Sequence, residues 1–299
     1  MAEISSVSRL LEILNKHSFR CRKRWGQNLL VDGNIVRKTV RAANLSPNDI
    51  VVEIGPGAGT LTCLLAKNVK MVIAIEVDQR LSPVLKENLD GLTNVEIVFE
   101  DALKVDFDHL VGIKSQEIID PRTSNYKVVA NLPYYITTPL LMYLLQRKFH
   151  FESLLVMVQR EVSRRLTAVP GSKDYGSLSV AVQYYTVPKT LFYVPRSVFF
   201  PQPEVDSAVV YLARRKTPAV EIPAEDLFFS LVRGAFGQRR KTILNALAGS
   251  QVIPGFSRQT WEEILKAGSI DPSRRGESFS LEEFAVLSWR CWEQLLKVC

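Results

Sequence analysis

The chain has 299 residues, 46% of them hydrophobic and 23% charged, values ordinary for a globular protein and long enough for two domains. They exclude a wholly disordered chain, a collagen-like chain and a disulfide-stapled mini-protein. Lys plus Arg is 38 against 31 for Asp plus Glu, and the net charge of +7 leans toward an anionic partner.

The four cysteines, Cys21, Cys63, Cys291 and Cys299, form no C-x-x-C pair, and the three histidines form no H-E-x-x-H. Neither a zinc motif nor a redox motif is present, so no metal is expected. Scattered cysteines fit free thiols in a reducing compartment. No apolar run approaches the ~18 residues of a membrane span. The first 24 residues read as an amphipathic helix carrying Leu10, Leu11, Ile13 and Leu14, not as a signal peptide. A cytoplasmic protein is expected.

Short runs rich in Val and Ile follow at 50–54, 69–75, 95–99, 127–130 and 154–158, with helical patterns at 61–67, 80–89 and 139–146. Strands alternating with helices indicate an α/β fold, a parallel sheet with helices on both faces. Residues 112–125 have little periodicity and read as a surface loop. Residues 191–194 and 207–212 read as two more strands, separated by a proline-rich stretch. A polar linker at 214–223 precedes helical patterns at 224–236, 239–247, 258–266 and 281–298. The boundary is therefore expected between 213 and 214, with a catalytic domain over 1–213 and a helical domain over 214–299.

The strongest single feature follows the first strand, where Glu53, Gly55, Gly57 and Gly59 form E-x-G-x-G-x-G. Glycines let a ligand approach the main chain closely. The spacing is not the G-x-G-x-x-G of a dinucleotide site, and no Gly-Lys-Ser/Thr marks a P-loop. The next strand ends in Glu76, placed to accept hydrogen bonds from ribose hydroxyls. The third ends in Glu100-Asp101, and Asp101 can accept from an exocyclic adenine amine. Together these features specify a site for an adenine nucleoside with free ribose hydroxyls. The fourth strand ends in Asn131-Leu132-Pro133-Tyr134.

E-x-G-x-G-x-G together with N-L-P-Y resembles the S-adenosylmethionine-dependent methyltransferases that act on adenine N6, which have a Rossmann-like sheet. The chemistry accounts for these residue types. The Asn131 side-chain oxygen and the Leu132 carbonyl can each accept one N–H of the amine, favouring a pyramidal nitrogen whose lone pair faces the methyl donor. Pro133 fixes the backbone, and Tyr134 offers a face for an extruded base.

Three further segments narrow the resemblance to the ribosomal small-subunit RNA adenine dimethyltransferases, the kasugamycin-sensitivity type. They are residues 23–32, residues 195–207 with F-x-P-x-P, and Phe236-Gly237-Gln238-Arg239-Arg240-Lys241-Thr242 followed by Arg274-Arg275-Gly276-Glu277. The resemblance runs from about Lys23 to about Leu287. It departs from the family at Trp25, where Phe or Leu is more frequent, at Gly276, where Ala is common, and in a longer 112–125 loop. It implies that Asn28 and Leu30 join Gly55, Gly57, Glu76, Asp101 and Asn131 around the cofactor, and that Phe199 sandwiches the target adenine against Tyr134. It also implies dimethylation of two adjacent adenosines near the 3′ end of small-subunit rRNA, within an assembling 30S particle, by a monomer. Arg22, Lys23, Arg24, Arg160, Arg164, Arg165, Arg239, Arg240 and Lys241 then read as RNA contacts. The alternatives are a macrolide-resistance enzyme acting on large-subunit rRNA, a non-enzymatic RNA-binding relative, and an NAD-dependent oxidoreductase, which the glycine spacing disfavours.

Overall fold

A computed structural model describes residues 7–22, 26–116 and 126–298. Lys23, Arg24 and Trp25 lie outside the described residues. The chain divides into two compact units, Met1–Ser163 with Pro188–Arg214, and Arg164–Val187 with Arg215–Cys299.

The first unit opens with α1 (Val7–Lys16), which buries Leu10, Ile13 and Leu14. The two-residue strand β1 (Leu29–Leu30) precedes α2 (Gly33–Ala42). Asp32 sets the start of α2, because its carboxylate accepts the Asn34 and Ile35 N–H groups that a first helical turn leaves unpaired. Then come β2 (Ile50–Ile54), α3 (Thr60–Ala66), β3 (Met71–Glu76), α4 (Ser82–Asn88), β4 (Val95–Phe99), α5 (Phe107–Ser115), β5 (Tyr126–Asn131) and α6 (Thr137–Gln146). They are followed by β6 (Phe151–Gln159), α7 (Arg160–Leu166), α8 (Ser177–Tyr185), β7 (Thr186–Val194), β8 (Phe199–Phe200) and β9 (Ser207–Arg214). The last helices are α9 (Glu225–Gly237), α10 (Ile243–Ser250), α11 (Arg258–Ala267) and α12 (Leu281–Val298). No helix among the described residues is long and apolar enough to cross a membrane.

The seven-stranded sheet runs in the order β4-β3-β2-β5-β6-β9-β7. The pairs from β4 to β6 are parallel and β9 runs antiparallel to β6. All five residues of β2 are buried, as expected for a strand covered on both faces. Strand order reverses between β2 and β5, and such a switch point opens a crevice at the carboxyl ends of the strands. The register sets that edge. Ile54 lies level with Ile75 and with Ala130, and Glu76 lies level with Phe99. The glycine turn, Glu76, Asp101 and Asn131 therefore leave the sheet along one edge.

The unit boundary differs from the one expected at 213/214, because Arg164–Val187 belongs to the second unit. The reason is aromatic packing. The Tyr184 ring lies 5.4 Å from Phe228 and 5.5 Å from Phe229, and the Tyr185 hydroxyl donates to Glu225 at 2.9 Å. Contacts between residues so far apart in sequence leave no local period to read. Two other expectations shift. Residues 112–115 complete α5 instead of starting a loop, while 117–125 lie outside the described residues. The helix expected from 239 starts at Ile243, where the Thr242 side chain caps α10.

Candidate active site

The reversal of strand order opens a cavity of about 270 Å³ in the first unit. Its walls include Asn28, Leu30, Gly55, Gly57, Glu76, Asp101, Asn131, Leu132, Pro133 and Tyr134. The strand register gathers these sequence candidates; Phe199 does not line the cavity.

The glycine turn is shaped by backbone angles and by close approach. Gly55, Gly57 and Gly59 have φ of +73°, +57° and +83°, where a side chain is strained. A Cβ on Gly57 would lie 2.6 Å from Leu29 Cδ2. The turn also orients Glu76, whose carboxylate accepts from Gly57 N at 3.3 Å and from Asp78 N at 2.9 Å. One Asp101 oxygen accepts from Leu103 N at 3.0 Å, which holds the carboxylate at the end of β4.

Asn131 is held from the opposite wall. Its Nδ2 donates to the Asn28 carbonyl at 3.1 Å. Asn28 Nδ2 in turn donates to the Gly26 carbonyl at 3.0 Å. With Nδ2 engaged, the Asn131 amide presents Oδ1 as an acceptor. The Tyr134 hydroxyl sits 2.8 Å from Ser207 Oγ, which fixes its half-buried ring. Leu132 N donates to the Met157 carbonyl at 3.1 Å, anchoring the turn to β6.

Phe199 departs from the sequence expectation. It pairs with Leu30 in the β1–β8 ladder, is 3% exposed, and packs in the sheet core with Val36, Val40 and Val194. Directly paired residues share one face of a ladder, so pairing with Leu30 turns Phe199 inward.

Sequence reasoning gave no role to three cavity residues. Tyr135 is 55% exposed and Val77 presents an apolar face. Glu53 is 1% exposed, and its Oε2 has no hydrogen-bond partner, as is also true of Thr62 Oγ1. A carboxyl inside the otherwise apolar β2 was the available signal for Glu53; Val77 and Tyr135 carry none beyond their neighbours.

Burial pushes the Glu53 carboxyl up to about 8, against the pull of the neighbouring Thr62 hydroxyl and with a smaller push from the Glu76 charge. Burial likewise pushes Glu76 up to about 7, against the pull of the Asp78 and Gly57 N–H groups. Both lie above the ordinary value of 4.5. Folding therefore favours the neutral acids. That contribution is complete below about pH 4.5 and is lost as pH rises through about 7 and then about 8. In thermal melts the cofactor-free protein should lose stability between about pH 4.5 and 8, and Glu53→Gln should flatten the upper part of that fall. An unchanged fall in the variant would remove Glu53 as its source.

The donor set fits S-adenosylmethionine, the cofactor expected from the sequence. Glu76 and Asp101 offer acceptors for ribose hydroxyls and an adenine amine. When ionised, the buried Glu53 and Glu76 carboxylates would favour a ligand that carries positive charge.

The basic candidates separate by what they touch. In the first unit, Arg22 N donates to Gln27 Oε1, and Arg160 is exposed with its guanidinium 4.7 Å from the Tyr193 ring centre. In the second unit, Arg164 is exposed and Arg165 half-buried. Arg239 donates to the Lys173 and Tyr175 carbonyls at 2.8 and 3.1 Å and reaches Glu277 at 3.4 Å, so it braces the fold. Arg240 and Lys241 are exposed on the turn before α10.

Comparison with known proteins gives a consistent picture. Residues 18–286 match the model of a family described as ribosomal RNA adenine dimethylase. The chain is 54% identical over 288 residues to a ribosomal RNA small subunit methyltransferase A from Pelotomaculum thermopropionicum, covering 96% of this chain and 97% of that protein. A protein of the same name from Moorella thermoacetica is 53% identical, at 96% and 98% coverage. Among solved structures, a dimethyladenosine transferase from Plasmodium falciparum aligns with a TM-score of 0.73 and 27% identity, over 89% of this chain and 98% of that one. The 23S rRNA methyltransferase ErmE aligns with a TM-score of 0.64 and 27% identity, over 88% and 99%.

Proposed function

Because the chain belongs to the ribosomal RNA adenine dimethylase family, we propose that its cavity binds S-adenosylmethionine through Asn28, Leu30, Gly55, Gly57, Glu76, Asp101 and Asn131, and presents an adenine N6 to it. The protein is an rRNA adenine dimethyltransferase that uses S-adenosylmethionine. Its substrate is two adjacent adenosines near the 3′ end of small-subunit rRNA, modified late in assembly of the 30S particle by a cytoplasmic monomer. The small-subunit name shared by relatives at about half identity supports this choice over the large-subunit alternative.

The observation that carries the chemistry is the Asn131–Asn28 hydrogen bond. An adenine amine is a poor nucleophile because its lone pair is delocalised into the ring. With its Nδ2 tied back, Asn131 has Oδ1 free to accept one N6 hydrogen, and the Leu132 carbonyl accepts the other. Both bonds strengthen as the nitrogen becomes pyramidal, so they stabilise the transition state more than the ground state. Bound S-adenosylmethionine supplies an electrophilic methyl group. Tyr134 supports the extruded base. No side chain is needed as a general base, because the methylated amine is acidic enough to release its proton to water.

The test is primer extension on unmodified small-subunit particles after incubation with enzyme and S-adenosylmethionine. Dimethylated N6 has no donor left for Watson–Crick pairing, so two adjacent stops near the 3′ end are expected. Stops confined to large-subunit RNA would move the enzyme to the macrolide-resistance branch, and none at all would make it a binding protein.

RNA binding should weaken with salt, with a log–log slope of about −0.7 for each single-stranded phosphate neutralised. Replacing Arg240 and Lys241 together by Ala should make that slope shallower. Arg239→Ala should lower the melting temperature with little change in slope, because that side chain binds carbonyls of its own unit. Filter-binding titrations between 50 and about 200 mM salt would read the difference. Equal slopes for all variants would mean that this turn does not touch RNA.

A further inference from the structure

Arg160 opens α7 directly after Gln159, the last residue of β6. Gln159 is the ladder partner of Ser207, and Ser207 Oγ lies 2.8 Å from the Tyr134 hydroxyl. Arg160 N donates to the carbonyl of Asp206, the residue before Ser207, at 3.0 Å. Its position next to the base-binding turn is thus fixed by main-chain bonds.

From there its guanidinium lies over the ring of Tyr193, 4.7 Å from the centroid. Tyr193 belongs to β7, the edge strand of the sheet, and is 52% exposed. Among the described residues, no carboxylate pairs with Arg160. A surface cation over an aromatic face is stabilised by the ring quadrupole. Here it leaves a flat ring and an uncompensated positive charge side by side, with Arg160 one residue along the chain from the ladder partner of Ser207, which meets the Tyr134 hydroxyl. A buried structural pair would hide both groups; this one presents them.

We propose that Tyr193 and Arg160 form a second nucleotide site, which stacks the base adjacent to the adenosine held in the cavity and contacts its phosphate. The proposal rests on the adenine-methylating reading above. Nucleobases of every kind offer a π-face, so the ring accepts a neighbour without reading its sequence, and Arg160 neutralises one phosphate. Holding the neighbour keeps the extruded adenosine from restacking on it, and it positions two adjacent adenosines for successive modification.

Two experiments on the full-length protein test this. In methyl transfer to unmodified small-subunit particles, Tyr193→Ala and Arg160→Ala should each raise KM about tenfold, with kcat and S-adenosylmethionine affinity unchanged, while Tyr193→Phe behaves as the parent. The second uses a synthetic oligoribonucleotide with two adjacent adenosines, bound at low salt and followed by fluorescence anisotropy. Versions abasic on the 5′ or on the 3′ side of the target remove one neighbouring base at a time. One of these abasic probes should bind the parent more weakly and should make Tyr193→Ala silent, the signature of a coupled pair. The proposal fails if Tyr193→Ala leaves KM unchanged, if only Arg160→Ala acts, or if Tyr193→Ala weakens all probes equally. If the parent methylates no particle, the adenine-methylating reading fails, and the oligonucleotide coupling still decides the stacking site by itself.

Discussion

Asn131→Ala should lower the rate of methyl transfer by about 10²–10³, the effect seen when one preorganised partner of a developing transition-state charge is removed. The change deletes the Oδ1 acceptor for N6, and it also deletes the Nδ2 donor that ties the β5 turn to the Asn28 carbonyl. The loss should fall mainly on kcat, since the hydrogen bond gains strength only as the amine becomes pyramidal. S-adenosylmethionine affinity should fall far less, because Glu76 and Asp101 remain. Asn131→Asp is the informative companion. It keeps an acceptor but removes the donor to Asn28, so it separates acceptance at the amine from anchoring of the side chain. Single-turnover transfer beside calorimetric cofactor binding would measure both. Equal losses in the two for Asn131→Ala would mean that Asn131 serves the cofactor rather than the adenine.

The second large effect is on the cofactor. Glu76→Ala and Asp101→Ala each remove charge-assisted hydrogen bonds worth about 1.5–3 kcal/mol, or roughly one to two decades of affinity. Glu76 should be the more severe of the two. Its carboxylate also accepts the Gly57 and Asp78 N–H groups, so its loss releases the turn as well as the ligand contact. Affinity for the parent should rise with pH as Glu76, pushed up to about 7, becomes a full acceptor. Glu76→Gln should bind weakly and lose most of that pH dependence. Calorimetry between pH 6 and 9 reads all three, and parent-like binding by both Ala variants would show that the cavity is assigned to the wrong ligand.

The glycine turn, Glu76, Asp101 and Asn131 were legible in the sequence for a geometric reason. In a parallel sheet every strand ends at the same edge, so residues that close successive strands meet without any knowledge of side-chain packing. Glu53 was quoted in the motif without a role, since its lack of a partner appears only when its surroundings are seen. Phe199 was set beside Tyr134 by resemblance alone, and its place in the core comes from a two-residue ladder too short to leave a pattern. Arg239 was grouped with Arg240 and Lys241 by composition, while the carbonyls it binds lie on a segment more than sixty residues away. Residues 164–187 were assigned to the wrong unit for the same reason: their rings find partners beyond the range of any periodicity.

That last segment has a bearing on how the chain can be cut. The backbone passes between the units three times, after Ser163, Val187 and Arg214. No single cleavage releases either unit whole. A fragment ending at Arg214 keeps α8 but strips Tyr184 and Tyr185 of Phe228 and Phe229, leaving an apolar helix face without its cover. A free-standing catalytic fragment would need the 164–187 excursion excised and its ends rejoined. Shuffling of the helical part between relatives would likewise need three coordinated joints instead of one, so the two units are expected to have been inherited together as a single piece.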